Sequence, residues 1–193
     1  MTKELTQELC IAKRICPLTG RIENGMINDA EKLLFQMCLN DEKRPIRVII
    51  DSGGGNVQPA LGFYDFIKGL PCEFEATVVG DCHSAALLIL AACIKRKATV
   101  HSRFLFHAMR TEVSIFSTKD IRKQLDELER KQTILFQQGL AIQSKAFGIS
   151  ESNLQELMVT GNDFDMRLTA QEALEKGVIH EIVEKFDFFN PAG

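Results

Sequence analysis

The stretch that decides the fold is residues 75–93, which read EATVVGDCHSAALLILAAC. Residues 75–79 are strand-like and stop at Gly80, and residues 84–93 are apolar on every face, as in a buried helix. Outward from this stretch, helical patterns occupy 29–39, 58–70, 118–147, 150–158 and 169–176, and strand-like runs occupy 47–50, 99–107 and 178–183. Alternation of strands and helices favours an α/β domain, and we expect one domain over 1–193.

Composition narrows the class of protein. The chain is 45% hydrophobic and 25% charged, with a net charge of −3, so it offers no strong positive field for nucleic acid. The basic run at 95–97 lies where we expect a helix to end, which suggests a partner for the helix dipole. The polar, acidic N-terminus is not a signal peptide, and the longest apolar run, 85–94, is too short to span a bilayer.

The six cysteines are scattered and form no Cys-x-x-Cys pair. Four of them lie in or beside apolar runs, where a reduced thiol behaves as a small hydrophobic group. We therefore expect a cytoplasmic protein with reduced cysteines, without a disulfide framework, a zinc site or another metal site.

Ser84 is the first candidate for chemistry, because it follows a strand and opens a buried helix. A helix N-terminus offers unpaired N–H groups that can hold an oxyanion. From this segment alone, an ordinary N-cap is the favoured interpretation. The surrounding CHSAA at 82–86 is not the G-x-S-x-G turn of α/β-hydrolases.

Three consecutive glycines, Gly53, Gly54 and Gly55, lie between a strand and a helix. They lack the Lys-Ser/Thr of a P-loop and the third spaced glycine of a dinucleotide fingerprint. A tight turn is the simple interpretation. The alternative is that the glycines let a backbone N–H group approach a substrate carbonyl.

A general base and an acid cannot be chosen from single residues. The histidines are His83, His101, His107 and His180. His107 ends an apolar strand, where histidine is more often a core residue, and His83 is adjacent to Ser84, so the two side chains should diverge. Asp163 and Asp165 lie in a turn-rich stretch where Asp is common.

The order of short motifs is more informative than any one of them. Four short motifs occur in order along the chain: LTGRI at 18–22, DSGGG at 51–55, GDCHS at 80–84 and SRFLFH at 102–107. They correspond to four motifs of one known family, which read, in the same order, Leu-Thr/Gly-Gly-x-Val/Ile, Asn-Ser-Pro-Gly-Gly, Gly-x-Ala-Ala-Ser and, on a strand, Asn-Ser-Arg. Asp165 stands four residues before TAQEA at 169–173, as the family acid stands before Ser-Ala-x-Glu-Ala, and GVI follows at 177–179. From about 18 to 183, the chain resembles the Clp protease proteolytic subunit.

The resemblance implies a fold class and a mechanism. The fold is α/β, a crotonase-like (ClpP-type) ββα superhelix with a protruding long handle helix at about 118–147. The function is that of a serine endopeptidase with Ser84 as nucleophile, His107 as base and Asp165 as acid. By analogy, the N–H groups of Gly55 and Ala85 form the oxyanion hole.

The resemblance also implies partners. Substrates are peptides or unfolded polypeptides, the subunits form a homo-oligomer of heptameric rings stacked as a tetradecamer, and no cofactor, membrane or nucleic acid takes part. A Clp ATPase unfoldase is a candidate partner. The length of the 118–147 helix independently suggests an oligomer contact, since its apolar stripe has to be covered.

Several positions depart from the family pattern. Cys82 and His83 replace a pair of alanines, Gly53 replaces a proline, and Phe164 replaces an arginine. In the family, the base is followed by Gln-Pro and a glycine-rich strand that pairs with substrate, and AMRTE at 108–112 stands in their place here. The family's N-terminal segment, which forms axial loops, has no counterpart in this sequence. These differences indicate a divergent member. They leave two alternatives open: an inactive structural ring paralogue, and a crotonase-fold enzyme acting on an acyl-CoA thioester.

Overall fold

The computed structural model describes residues 3–107, 121–160 and 165–184. The described residues form seven helices and seven strands in mixed order. The helices are α1 Lys3–Lys13, α2 Asn24–Asn40, α3 Val57–Gly69, α4 Ala86–Ala92, α5 Ile121–Phe147, α6 Glu151–Thr160 and α7 Ala170–Glu175. The strands are β1 Ile15–Thr19, β2 Ile46–Ser52, β3 Phe74–His83, β4 Lys95–Thr99, β5 Arg103–His107, β6 Asp165–Thr169 and β7 Glu181–Val183.

Most of the strands form a parallel sheet in the order β1-β2-β3-β4-β7. Strand β5 also pairs with β3 in parallel, and β6 pairs with β5 antiparallel. Because parallel neighbours need crossover connections, helices separate β1, β2 and β3 along the chain. This arrangement confirms the α/β class predicted from the alternation of segments.

Strand β3 is long enough to pair with two different strands on one side, one along each half of its length. Its first half pairs with β4 from Glu75 to Val78, and its second half pairs with β5 from Asp81 to His83. Gly80, with φ +112°, lies between the halves, and a Cβ there would fall 2.5 Å from a carboxylate oxygen of Asp51. The predicted strand end at Gly80 is therefore a bend inside one strand.

Two further boundaries differ from the prediction. The run at 99–107 was expected to be one strand, but β4 already begins at Lys95 and a turn at 100–102 separates it from β5. The opening strand implied at 18–22 lies earlier, at β1, and Ile22 instead makes an isolated bridge to Gly55. Helix α1 and strand β6 were not predicted.

Helix α4 is the centre of the core. All seven of its residues are buried, as the apolar sequence predicted, and it packs against α3, α5 and β3. A helix without a polar face has to be covered on all sides. Ser84 lies two residues before the start of α4, in the turn that connects it to β3.

The basic run at 95–97 lies on β4, just after α4 ends, and the expected partner for a helix dipole is Arg96, which binds the carbonyl of Cys93 at the C-cap of α4. Arg96 is 6% exposed and donates hydrogen bonds to the carbonyls of Val178 at 2.8 Å, Ala146 at 2.9 Å, Gly177 at 3.2 Å and Cys93 at 3.3 Å. These carbonyls belong to the end of α5, the segment after α7 and the cap of α4. A buried guanidinium thus joins three segments that are distant in sequence.

One pair of cysteines also departs from the expectation. Cys38 in α2 and Cys72 before β3 are joined as a disulfide, with their Cα atoms 6.1 Å apart. The expectation that all cysteines are reduced is wrong at this pair, while Cys10, Cys16, Cys82 and Cys93 are free thiols. Burial raises the pKa of Cys93 to about 12, so this thiol is inert at neutral pH.

Among the described residues, none of the helices has both the length and the apolarity to cross a bilayer.

The Arg96 contacts generate a stability prediction. Replacing Arg96 with Met should lower the free energy of unfolding by about 3 kcal/mol or more, because several buried carbonyls lose a charged donor. Urea denaturation measures this. Lys97→Met is the matched control, since Lys97 makes a partly exposed ion pair with Glu181 at 3.6 Å and should change stability by less than about 1 kcal/mol. Equal effects of the two substitutions would contradict the role assigned to Arg96.

Candidate active site

Ser84 occupies a strained turn between β3 and α4. Its φ is +54°, in the left-handed region of backbone conformation that residues other than glycine seldom adopt. The turn is held on both sides: the Ser84 N–H donates to the Leu105 carbonyl at 2.8 Å, and the Ser84 carbonyl accepts from the Leu87 N–H at 3.0 Å. Strain of this kind persists where neighbouring structure enforces it, and it is common at functional sites.

The N-cap interpretation of Ser84 is wrong. The residue at the N-cap of α4 is Ala85, and the cap makes no side-chain hydrogen bond. Among the described residues, the Ser84 hydroxyl makes no hydrogen bond to protein. The hydroxyl is therefore not engaged in capping the helix that it precedes.

The glycine turn lies directly against Ser84. Gly54 has φ +87°, and a Cβ at this position would fall 2.6 Å from the His83 carbonyl oxygen and 2.8 Å from the Ser84 Cβ. Gly55 has φ +154°, and a Cβ there would meet the Ile22 backbone. The Ser52 hydroxyl holds the turn by accepting from the Gly54 N–H at 3.1 Å. The glycines thus form a tight turn whose backbone lies against the Ser84 turn, and the approach of one of their N–H groups to a substrate carbonyl stays a prediction.

Two backbone donors beside Ser84 are free. Within the residues that the structure describes, neither the Gly55 N–H nor the Ala85 N–H donates a hydrogen bond. A Cβ on Gly54 would lie 3.3 Å from the Ala85 nitrogen, so the glycine turn and the start of α4 are in contact. Unpaired N–H groups in such a place can bind a carbonyl oxygen or an oxyanion.

His107 and Ser84 line the same cavity, which has a volume of about 40 Å³. His107 ends β5, and β5 pairs with the part of β3 that leads into Ser84. The other walls are formed by apolar side chains of α4 and by the second half of α5. The family resemblance paired these two residues as nucleophile and base, and the structure brings them to one cavity.

Asp165 is the Cα partner of His107 in the antiparallel pair of β5 and β6. The two residues are therefore directly opposite each other on neighbouring strands. The alternative acid, Asp163, lies outside the described residues, as do Phe164 and the AMRTE run at 108–112. Strand β6 is the element that the sequence analysis missed here, because five residues of mixed character carry little strand signal.

His83 belongs to a different cleft. It lies with Arg103, Arg167 and Glu172, and its Nε2 is 3.5 Å from a carboxylate oxygen of Asp81. Burial lowers the pKa of His83, and the Asp81 carboxylate partly opposes that effect. The expectation that His83 and Ser84 diverge agrees with this arrangement.

The remaining histidines lie away from this cavity. His180 accepts a hydrogen bond at Nδ1 from the Arg96 N–H at 3.1 Å, and burial lowers its pKa. His101 is exposed in the turn between β4 and β5. All four histidines are among the described residues, and His107 is the one that lines the Ser84 cavity.

Comparison with protein families matches residues 2–186 to the family described as Clp protease. The chain belongs to the Clp protease family. This assignment agrees with the mixed α/β architecture and confirms the resemblance drawn from the motifs.

Curated relatives in this family are similar at low identity. The chain is 28% identical to ATP-dependent Clp protease proteolytic subunit 3 of Synechococcus sp. (strain CC9605), covering 89% of this chain and 82% of the relative. It is 27% identical to subunit 3 of Rhodococcus jostii (strain RHA1), over 95% and 88%. It is 28% identical to subunit 1 of Corynebacterium diphtheriae, over 89% and 79%. These identities are those of a divergent Clp protease family member.

The glycine turn generates the prediction for this site. Gly54→Ala should lower the free energy of unfolding by at least about 2 kcal/mol, since it adds left-handed strain and a clash with the Ser84 turn. Gly53→Ala is the matched control, because a Cβ on Gly53 meets nothing within 4 Å, and it should change stability by less than about 0.5 kcal/mol. Chemical denaturation of both variants compares them, and equal stability would contradict the close approach of Gly54 to Ser84.

Proposed function

We propose that this Clp protease family member is a serine endopeptidase that cleaves peptides or unfolded polypeptides inside an oligomeric chamber. The single observation that carries the proposal is that Ser84, held in a left-handed turn with a free hydroxyl, lines one small cavity with His107. Neither residue alone would support it, since buried histidines and helix-leading serines are common.

Ser84 is the nucleophile and His107 the general base. The hydroxyl attacks the peptide carbonyl while His107 accepts its proton, and His107 then returns the proton to the leaving amine. Water hydrolyses the acyl-enzyme by the same proton transfers in the second half of the reaction. The triad uses only protein groups, so the proposed reaction requires no cofactor.

Asp165 is the acid that orients His107. A carboxylate in this role fixes the imidazole tautomer and stabilises the imidazolium that forms in the transition state. The support for choosing Asp165 is its register opposite His107 on the neighbouring strand. Asp165 also stands four residues before the segment at 169–173, and this spacing is the reason that the sequence favours Asp165 over Asp163.

The N–H groups of Gly55 and Ala85 form the oxyanion hole. Both are unpaired in the described part of the chain, and the positive φ of the glycines lets the turn approach the nucleophile. One well-placed donor stabilises the transition state by roughly 3–4 kcal/mol. The position of His83 also matters, because its ring lies in another cleft and does not fill the space over Ser84.

We also propose that the active form is a homo-oligomer of stacked heptameric rings, joined through α5. Buried residues on this helix, where its side chains are described, begin at Gly139, whereas Leu125 and Ile134 are 43% and 45% exposed. The first half of α5 therefore has an apolar stripe that the described residues of its own chain leave uncovered. The curated relatives are named ATP-dependent, which supports a Clp ATPase as the partner that supplies unfolded substrate.

Active-site labelling tests the triad. Wild-type protein should react with a fluorophosphonate probe and cleave a fluorogenic peptide, and Ser84→Ala should abolish both, with a rate loss on the order of 10⁶. Asp165→Asn should reduce cleavage by about 10⁴, as expected for a misoriented tautomer.

Two matched pairs of variants distinguish the loss of a catalytic group from a general loss of folded structure. His107→Gln should abolish cleavage whereas His83→Gln should retain it, and Asp163→Asn should retain the activity that Asp165→Asn loses. Unlabelled wild-type protein, or equal turnover by wild type and Ser84→Ala, would refute the peptidase proposal and leave the structural ring paralogue or the acyl-CoA enzyme.

Sedimentation velocity tests the assembly. Leu125→Glu should reduce the mass of the particle, because a charge in the α5 contact opposes its burial. Gln137→Glu introduces the same charge at an exposed polar position of the same helix and should leave the mass unchanged. An unchanged mass for Leu125→Glu would contradict the role of α5 in assembly.

A further inference from the structure

Strand β3 contains an irregularity opposite Asp51 of β2. On either side of it the two strands pair in parallel, as Ile50 with Val78 and Ser52 with Cys82. One residue, Asp51, lies between these pairs on β2, whereas three residues, 79–81, lie between them on β3. Extra residues of this kind form a bulge, which bends its strand and leaves backbone groups without partners in the sheet. The bulge therefore decides the direction in which β3 continues toward Ser84.

The Asp51 carboxylate supplies a partner that the bulge removes from the sheet. Its Oδ1 accepts a hydrogen bond from the Asp81 N–H at 3.0 Å. Gly80 makes room for this contact, because a Cβ on Gly80 would fall 2.5 Å from the same oxygen and 2.9 Å from the Asp51 Cγ. The φ of Gly80, +112°, is also one at which residues other than glycine are strained. The bulge is thus built around one carboxylate.

Asp51 lies between the two segments that border the candidate active site. Along the chain it is followed by the glycine turn, in which the Ser52 hydroxyl accepts from the Gly54 N–H at 3.1 Å. Through its side chain it holds Asp81, and Ser84 follows three residues later. The contact between Asp51 and Asp81 therefore ties the glycine turn to the segment that carries Ser84.

This hydrogen bond contributes more to position than to stability. Asp51 is exposed, so water can satisfy the Asp81 N–H when the carboxylate is absent. Water does not, however, connect that N–H group to β2. Loss of the carboxylate should therefore leave the fold intact while the bend of β3 becomes less constrained. A small displacement of a reacting group is enough to lower the rate of turnover strongly.

We propose that Asp51 is a positioning residue of the site. Its carboxylate oxygen fixes the bend of β3 and thereby sets the position of the Ser84 turn relative to the glycine turn. Asp51 acts through Ser84 and not on the substrate. This proposal rests on the peptidase function proposed above, in which Ser84 is the nucleophile.

Peptide cleavage by variants of Asp51 tests the proposal. Asp51→Leu keeps a branched side chain and removes the acceptor, so kcat should fall about ten-fold while KM changes by less than about two-fold. Asp51→Asn retains an acceptor oxygen and should bring kcat to within about two-fold of wild type. Asp65→Leu, the same change at an exposed position of α3, should leave kcat unchanged. Unchanged kcat in Asp51→Leu, or an equal loss in Asp51→Leu and Asp51→Asn, would overturn the proposal.

A stability measurement and a second variant guard against a loss of folded structure. The urea midpoint of Asp51→Leu should lie close to that of wild type, because the replaced side chain is exposed. Asp51→Ala removes the acceptor without adding bulk, so it should show the same loss of kcat as Asp51→Leu. If Asp51→Leu does not fold, Asp51→Ala decides, and full turnover by Asp51→Ala would overturn the role of Asp51.

Amide hydrogen exchange separates this proposal from the peptidase proposal. In peptides that cover 79–84, followed by mass spectrometry, exchange should be faster in Asp51→Leu than in wild type or Asp51→Asn, because the Asp81 N–H loses its acceptor. Faster exchange in Asp51→Leu, together with a wild type that does not cleave peptide, would retain the Asp51 contact and refute the peptidase function. Cleavage by wild type with equal exchange in all three proteins would do the reverse.

Discussion

The candidate site depends on one close approach, that of the Gly54 backbone to the turn at Ser84. There is no room for a side chain on Gly54, whose Cβ would lie within 3 Å of both the His83 carbonyl oxygen and the Ser84 Cβ. The approach brings the turn that contains Gly55 close to Ala85, and the N–H groups of both residues are unpaired in the described part of the chain. Because the Leu105 carbonyl holds the other side of the turn, the strained φ of Ser84 is enforced from both directions.

The bend of β3 at Gly80 explains how one strand serves both the scaffold and the site. Before the bend, β3 pairs with β4 inside the parallel sheet, and after it β3 pairs with β5. Strand β5 ends in His107 and carries β6 on its other edge, so the second half of β3 gathers the residues of the proposed triad. The rest of the sheet holds α4 in the core and keeps Ser84 at its start.

The sequence predicted those parts of the fold whose signal is local. Helix α4 is apolar on every face, and a capping box of Thr169 and Glu172 marks the start of α7 within the predicted helix at 169–176. Pairings between distant segments left no local signal: β6 and the contacts of Arg96 were not foreseen. For the site, the ordered motifs suggested Ser84, His107 and Asp165 and, by analogy, the N–H groups of Gly55 and Ala85. The left-handed turn at Ser84 was not foreseen, because it depends on Gly54 packing against a segment 30 residues away.

Two buried polar side chains at the second half of α5, Arg96 and Gln143, differ in how fully their hydrogen-bonding groups are paired. Arg96 donates to four carbonyls and lies over the Phe147 ring at 5.4 Å, so its polar groups are used in holding the end of α5. Gln143 lies one turn before Ala146, whose carbonyl Arg96 binds, and its own oxygen is unpaired. The satisfied residue fixes the helix end, and that anchorage holds the unsatisfied one beside Ser84.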